Sequence, residues 1–233
     1  MNSVLAALPP RAYAALEPSL QPVSLAFGQI LCQPGQRIAH VYFPQDSLVS
    51  LLTLVDRRFA LEVGLVGFEG MVGMPLALGN AVSPVRALVQ GAGSALRMPA
   101  PRFLAAFGRS PPLRRCLFAY LDALLAQITQ TAACNRFHVV EARLARWLLM
   151  TSDRVRSLEF RLTQEFLAHM LGVRRAGVSE AASALQRRRL IVYRRGAITI
   201  LDRRRLAAAC SCYRPLAETM PGRRRSYSRF TTA

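Results

Sequence analysis

Lysine is missing from this chain: all 31 of its basic residues are arginine. Acids are scarce as well, 13 in 233 residues, so the formal net charge is +18. No apolar run approaches the roughly 20 residues that a membrane-crossing helix needs. The first twenty residues hold prolines but no basic start followed by a long apolar stretch, so no export signal is expected and the chain reads as cytoplasmic. Catalytic signatures are absent too. There is no Gly-x-Ser-x-Gly, no Walker-type loop and no His-Glu-x-x-His, and Glu62, Glu69, Ser179 and Glu180 have no nucleophile or base beside them in sequence. No enzyme is expected.

Metal and disulfide chemistry have little to work with. The three histidines, His40, His138 and His169, are scattered. Five cysteines in a cytoplasmic chain imply no disulfide framework. Cys116 and Cys134 fall in helical stretches and read as small buried apolar residues. Cys210 and Cys212 are close, but no histidine or further cysteine lies near them in sequence, so no metal is expected.

What is present is unevenly placed. Residues 1–150 carry 13 arginines against 7 acids, net +6; residues 151–233 carry 18 against 6, net +12. Two thirds of the excess charge therefore sits in about a third of the chain. That footprint suits a polyanion, and the planar guanidinium fork suits phosphate and guanine.

The most informative stretch runs from Leu162 to Asp202. Thr163 can cap a helix by accepting a bond from a first-turn amide, and Glu165 places a negative charge where the helix dipole favours one. Phe166, Leu167, Met170 and Leu171 form an amphipathic stripe, which Gly172 ends. A second helix follows, with Val178, Ala181, Ala182 and Leu185 on its buried face and Arg174, Arg175, Ser179 and Gln186 away from it. Small Ala168 and Gly172 permit the close approach of a helix-turn-helix. The period then changes to two. Ile191 to Tyr193 and Ala197 to Leu201 flank Arg194-Arg195-Gly196, a hairpin tipped with arginine. The sequence is that of a winged helix-turn-helix whose second helix enters a major groove.

Upstream, the texture from Pro22 to Met98 is β. Short alternating runs (Val23 to Phe27, Ile30 to Cys32, His40 to Phe43, Leu48 to Val55, Phe59 to Val66, Val85 to Gln90, Ser94 to Met98) are separated by Gly, Pro and Asp turns, including Asp56-Arg57, as in a jelly roll. From Leu113 to Thr131 a helical stripe is wide enough to serve two purposes. One face is expected to cover the roll, and another, with Leu117, Leu121, Leu124 and Ile128, to pair with a second copy. A further helix, roughly Val139 to Ser152, leads into the reading head.

The order of these parts resembles the Crp–Fnr superfamily of bacterial transcription regulators. The stretches that carry the resemblance are Val41-Tyr42-Phe43-Pro44, Gly67 to Gly73, Ala145 to Leu149, and Leu162 to Leu171 with Arg174-Arg175. The resemblance implies an α+β chain: a cyclic-nucleotide-binding-like β roll at 1–112, a dimerisation helix at 113–136, a winged helix-turn-helix at 137–213 and a basic tail at 214–233, expected to be disordered. It implies double-stranded DNA as partner, a homodimer, and RNA polymerase. It also implies base contacts from Arg174, Arg175, Ser179 and Glu180, while Thr163, Gln164, Arg194 and Arg195 are candidate phosphate contacts.

The effector pocket departs from the cyclic-AMP-binding pattern of that superfamily. Gly70-Met71-Val72-Gly73 has Met71 where ribose-binding members have glutamate, and Ser83 stands where they have arginine. Arg86 is three residues away, which on a strand reverses its face. Cyclic AMP is therefore not expected as a cofactor, and a buried phosphate there would lack its cation. Two other readings stay open at this point: a cyclic-nucleotide-binding module, with Arg86 serving the phosphate, and an adaptor whose winged helix binds a protein.

Overall fold

A computed structural model describes residues 1–54 and 60–216. The expected Asp56-Arg57 turn and most of the basic tail, with Arg223 to Arg225, lie outside them. Two short helices, α1 (Ser3–Ala6) and α2 (Pro10–Leu16), open the chain. Fully buried Asn2 fixes the first of them: its oxygen accepts from Val4 and Leu5 amides, and its Nδ2 donates to the carbonyls of Pro44 and Gly70. One side chain thus caps a helix and pins it to the roll.

Seven strands follow: β1 (Gln21–Leu25), β2 (Ile30–Cys32), β3 (His40–Pro44), β4 (Leu48–Leu54), β5 (Ala60–Val66), β6 (Arg86–Gly91) and β7 (Gly93–Pro99). They form two antiparallel sheets, β1-β7-β3 and β2-β6-β4-β5. Strand alternation puts Val41, Phe43 and Met98 on one face of the first sheet and Val49, Val66, Ala87 and Val89 on one face of the second, and these residues, with Leu25 and Ala95, make the core of a roll.

The connecting part comprises α3 (Ala100–Arg109) and the long α4 (Pro111–Phe137). Helix α4 extends further at both ends than the Leu113–Thr131 stripe suggests, capped by Ser110, whose Oγ accepts from the Leu113 amide. Here one expectation needs correction. Leu117 and Leu124 do not form an outward seam; they are buried in the roll core, and Leu121 and Ile128 pack partly buried against it. The face left outward carries Phe118 and Leu125, about half exposed. The stripe is wide enough to have two sides, and the roll takes the more continuous one.

The C-terminal part is built from α5 (Val140–Val155), β8 (Glu159–Arg161), α6 (Gln164–Leu171), α7 (Arg175–Arg187), β9 (Ile191–Arg194), β10 (Ala197–Ile200) and α8 (Arg203–Ala208). Leu144, Leu148, Leu167, Val178, Leu185, Ile198 and Leu206 form its core. Among the described residues no helix is long and apolar enough to cross a membrane.

The two halves meet on the outer face of the β6–β4–β5 part of the second sheet, where Ser50, Leu52, Glu62 and Gln90 are buried. Leu52 joins the C-terminal core rather than the roll's own. Phe27 meets Phe166 with ring centroids 5.5 Å apart. The indole Nε1 of Trp147 donates to Glu62 Oε1 at 2.8 Å, and a buried ion pair joins Arg154 Nε to Glu69 Oε1 at 2.8 Å. Ser50 Oγ lies 2.7 Å from both Glu62 Oε2 and Gln90 Oε1. One hydroxyl proton cannot serve two acceptors; with the Gln90 amide turned over, its otherwise partnerless Nε2 donates to Ser50 Oγ, and Ser50 donates to Glu62 Oε2.

Burial pushes the Glu62 carboxyl up to about 7, against the opposing pull of the Ser50 and Trp147 hydrogen bonds and of Arg154 and Arg146. A carboxyl raised in the folded state stabilises the fold at low pH. That contribution is lost as pH climbs from the unfolded value near 4.5 through the folded value near 7. Thermal stability should therefore fall across that window by roughly 2–3 kcal/mol and level off above it. Melting curves of wild type and Glu62→Gln from pH 5 to 8 check this; the substitution should remove the fall.

Candidate DNA-binding interface

The reading head is assembled by local rules. Thr163 Oγ1 accepts from the Phe166 amide at 3.1 Å, starting α6. Gly172 ends it at φ 61°, and a Cβ there would meet Leu61 of β5 at 2.8 Å. The left-handed conformation is what favours glycine here, and any side chain would also have to displace the Leu61 methyl. Val173 packs partly buried between the helices, and α7 starts at Arg175, with extended Arg174 before it.

Three of the predicted DNA-facing residues come together at this turn. Gln164 Oε1 accepts from Ser179 Oγ at 2.8 Å, and Arg175 Nε stands 3.5 Å from the same oxygen. Arg174, Arg175 and Glu180 are exposed, as is Thr163. The wing returns to the same neighbourhood: Tyr193 Oη donates to the Leu162 carbonyl at 2.7 Å, and its backbone amide donates to Gln186 Oε1 at 2.8 Å. Burial raises the Tyr193 phenol above its ordinary range, and the Arg175 charge opposes that.

The wing tip is a two-residue turn in which Arg195 (φ 48°) and Gly196 (φ 79°) both take positive φ, between paired Arg194 and Ala197. The turn holds Arg194 and Arg195 exposed. The surface so formed presents guanidinium groups on a helix start and on a hairpin tip, with one carboxylate, Glu180, a turn into the helix.

The residues predicted for an effector pocket are placed differently. Met71 is 1% exposed in the roll core, and Val72 bridges to Tyr42. Gly70 lies under the ring of Tyr120: a Cβ there would come within 2.4 Å of three ring and hydroxyl atoms. Gly73 adjoins Val41. Buried Ser83 donates to the Val85 carbonyl at 2.8 Å. Arg86 alternates away from core-facing Ala87 and Val89, and its Nε donates to Gln33 Oε1 at 2.8 Å.

The chain's architecture and its C-terminal sequence both have counterparts. Residues 142–209 match the model of the Crp-like helix-turn-helix domain. The C-terminal part is a Crp-like helix-turn-helix domain. Most of the chain, 82–87% of it, shares the fold of Crp/Fnr regulators. A transcriptional regulator of the crp/fnr family from Eubacterium rectale superposes with a TM-score of 0.69 at 17% identity, covering 87% of this chain and 94% of the other. The c-di-GMP-responsive global regulator CLP of Xanthomonas campestris gives 0.69 at 18% identity over 82% and 99%. FixK2 of Bradyrhizobium japonicum gives 0.70 at 16% over 82% and 97%. No curated protein sequence matches the chain.

Sequence reasoning missed several parts of the Crp-like domain. Strand β8 pairs with β10 and makes the wing three-stranded; the alternation of Leu158, Phe160 and Leu162 with charged neighbours is its signal. Helix α8 begins at Asp202, whose carboxylate accepts from the Arg205 amide. The expectation that Cys212 lacks partners is also corrected: Cys134 and His138, far away in sequence, stand beside it. Their approach depends on how α8 folds back against α5, which no local pattern records.

Proposed function

We propose that this chain is a homodimeric, sequence-specific DNA-binding transcription regulator. The observation that carries the reading is the exposed arginine pair at the start of α7, held beside Gln164 and Ser179 and flanked by the arginine-tipped wing. Arg175 reads a guanine edge, where bidentate pairing discriminates by about 1–3 kcal/mol. Arg174, Ser179 and Glu180 complete the base-facing set. Thr163, Gln164, Arg194 and Arg195 touch phosphate, which fixes register without reading sequence. RNA polymerase is the partner such a regulator addresses, and the cytoplasm its place of work.

Arg175→Ala should relax preference at one symmetric pair of operator positions and leave affinity for random duplex nearly unchanged. Arg195→Ala should weaken all duplexes alike and reduce the salt slope by about one unit for each phosphate no longer neutralised. Binding curves on selected and scrambled duplexes at several salt concentrations separate the two. Equal weakening on both duplexes for Arg175→Ala would remove it from the reading set.

Pairing of two chains rests on the outward face of α4. Phe118 and Leu125 are seven residues apart, two turns along one side, at 48% and 54% exposed. Exposed Ala119 and Ala126 beside them allow two helices to approach closely. The purified protein should sediment at twice its 25.7 kDa chain mass. Leu125→Glu should give folded monomers that bind DNA weakly. Leu124→Glu, at the adjacent position, should instead unfold the roll, because it buries an unpaired charge in the core. Sedimentation and circular dichroism of the two variants distinguish a seam from a core.

The roll takes no cyclic AMP in this reading. Buried Met71, the Tyr120 ring over Gly70 and the engagement of Arg86 by Gln33 support that. A calorimetric titration with cyclic AMP should give no saturable heat, and DNA affinity should stay constant in its presence. Micromolar binding that disappears in Arg86→Ala would instead favour a cyclic-nucleotide module.

A further inference from the structure

Three soft donors converge where the connecting helix ends. Cys134 lies in the last turn of α4 and His138 is its C-cap, four residues on, so both project from one side of the helix end. Cys212 comes from the segment after α8, 78 residues from Cys134 in sequence. Its Sγ is 2.9 Å from Cys134 Sγ and 3.2 Å from His138 Nδ1, and the three donor atoms all lie within 4.8 Å of one another. Cys134 is 2% exposed, while His138 and Cys212 are half-buried, so one side of the cluster remains reachable.

We propose that Cys134, His138 and Cys212 form a binding site for a soft divalent cation of the zinc type. Two thiolates and a neutral imidazole are the donor set such an ion prefers. With metal–sulfur bonds of about 2.3 Å and a metal–nitrogen bond of about 2.0–2.1 Å, tetrahedral donors sit roughly 3.5–3.8 Å apart. The observed separations reach that spacing by small side-chain rotations. Charge balance favours the ion as well. Two thiolates cancel a divalent cation, so occupancy adds no net charge to a chain already at +18.

A disulfide between the two cysteines would leave His138 without a role, whereas a cation uses all three groups. A fourth position stays open to water or to an incoming ligand. The consequence is mechanical. His138 is the joint between α4 and α5, and Cys212 lies beyond the last helix of the Crp-like domain. A cation shared by them ties the far end of that domain to the helix on which it pivots.

The test uses the full chain, reduced, stripped with a chelator and handled without oxygen, and Co(II) as the probe. One equivalent should bind with thiolate-to-cobalt charge-transfer absorption and the visible bands of a tetrahedral centre, and Zn(II) should displace it and raise the melting temperature. Cys212→Ser and His138→Ala, at half-buried positions, should each weaken binding by about 100-fold, while Cys32→Ser should not change it. Cys134→Ser should do the same wherever circular dichroism shows it folded. Absence of the charge-transfer band overturns the site, as does a band that survives in Cys212→Ser. A reduced protein that binds no Co(II), and whose only reaction on readmission of air is oxidation of Cys134 and Cys212 to a disulfide by dioxygen, overturns it too.

Discussion

A buried carboxyl governs how the two halves of this protein sit. Glu62 is on the outer face of a roll strand, where an isolated roll would leave it in water, and the Crp-like domain covers it. Taking an ionised carboxylate out of water costs more than the surrounding hydrogen bonds return. Burial holds this carboxyl at about 7, while the Trp147 indole donates to one oxygen and the Ser50 hydroxyl to the other. Apolar contacts from Leu52 to Phe166 surround that polar centre. The Arg154–Glu69 pair at the other end of α5 obeys the same constraint. Such buried polar contacts add modest net stability, yet they admit only one register of one half against the other.

The parts of the fold that can be read in the sequence are those fixed by neighbours in the chain. A cap at Thr163, a left-handed Gly172 and a change of period at Ile191 are local, and the reading head follows from them. The roll strands are legible because alternation and turn residues are local as well. Sequence reasoning fails where the answer lies with distant residues. The stripe on α4 is visible, but nothing in it says which side the roll will claim, so Leu117 and Leu124 look like seam residues and are core. Nor can the sequence place Cys212 beside Cys134 and His138. Buried Asn2 and Glu62 look there like ordinary surface residues, because the groups that bury them, the Pro44 and Gly70 carbonyls for one and the Trp147 indole for the other, are 42 to 85 residues away.

The exclusive use of arginine takes on a sharper meaning with the fold in view. At the start of α7 and on the wing tip, a planar fork can meet a base edge or a phosphate with two parallel bonds, which lysine cannot do. Inside the protein the same geometry lets Arg154 bind Glu69 and the Met150 carbonyl at once, and lets Arg203 engage Ser152, Asp153 and Tyr213 together. One residue type thus supplies both the reading surface and the polar fastening behind it.

The chain's single tryptophan is the residue whose indole reaches across to Glu62, 5% exposed and flanked by the roll on one side and α6 on the other. Indole emission shifts to the red when water reaches the ring and responds to a nearby carboxyl gaining or losing its proton. The protein therefore carries its own fluorophore at the joint between its halves. Any separation of the Crp-like domain from the roll, whatever provokes it, would be visible in the ultraviolet emission of unlabelled protein.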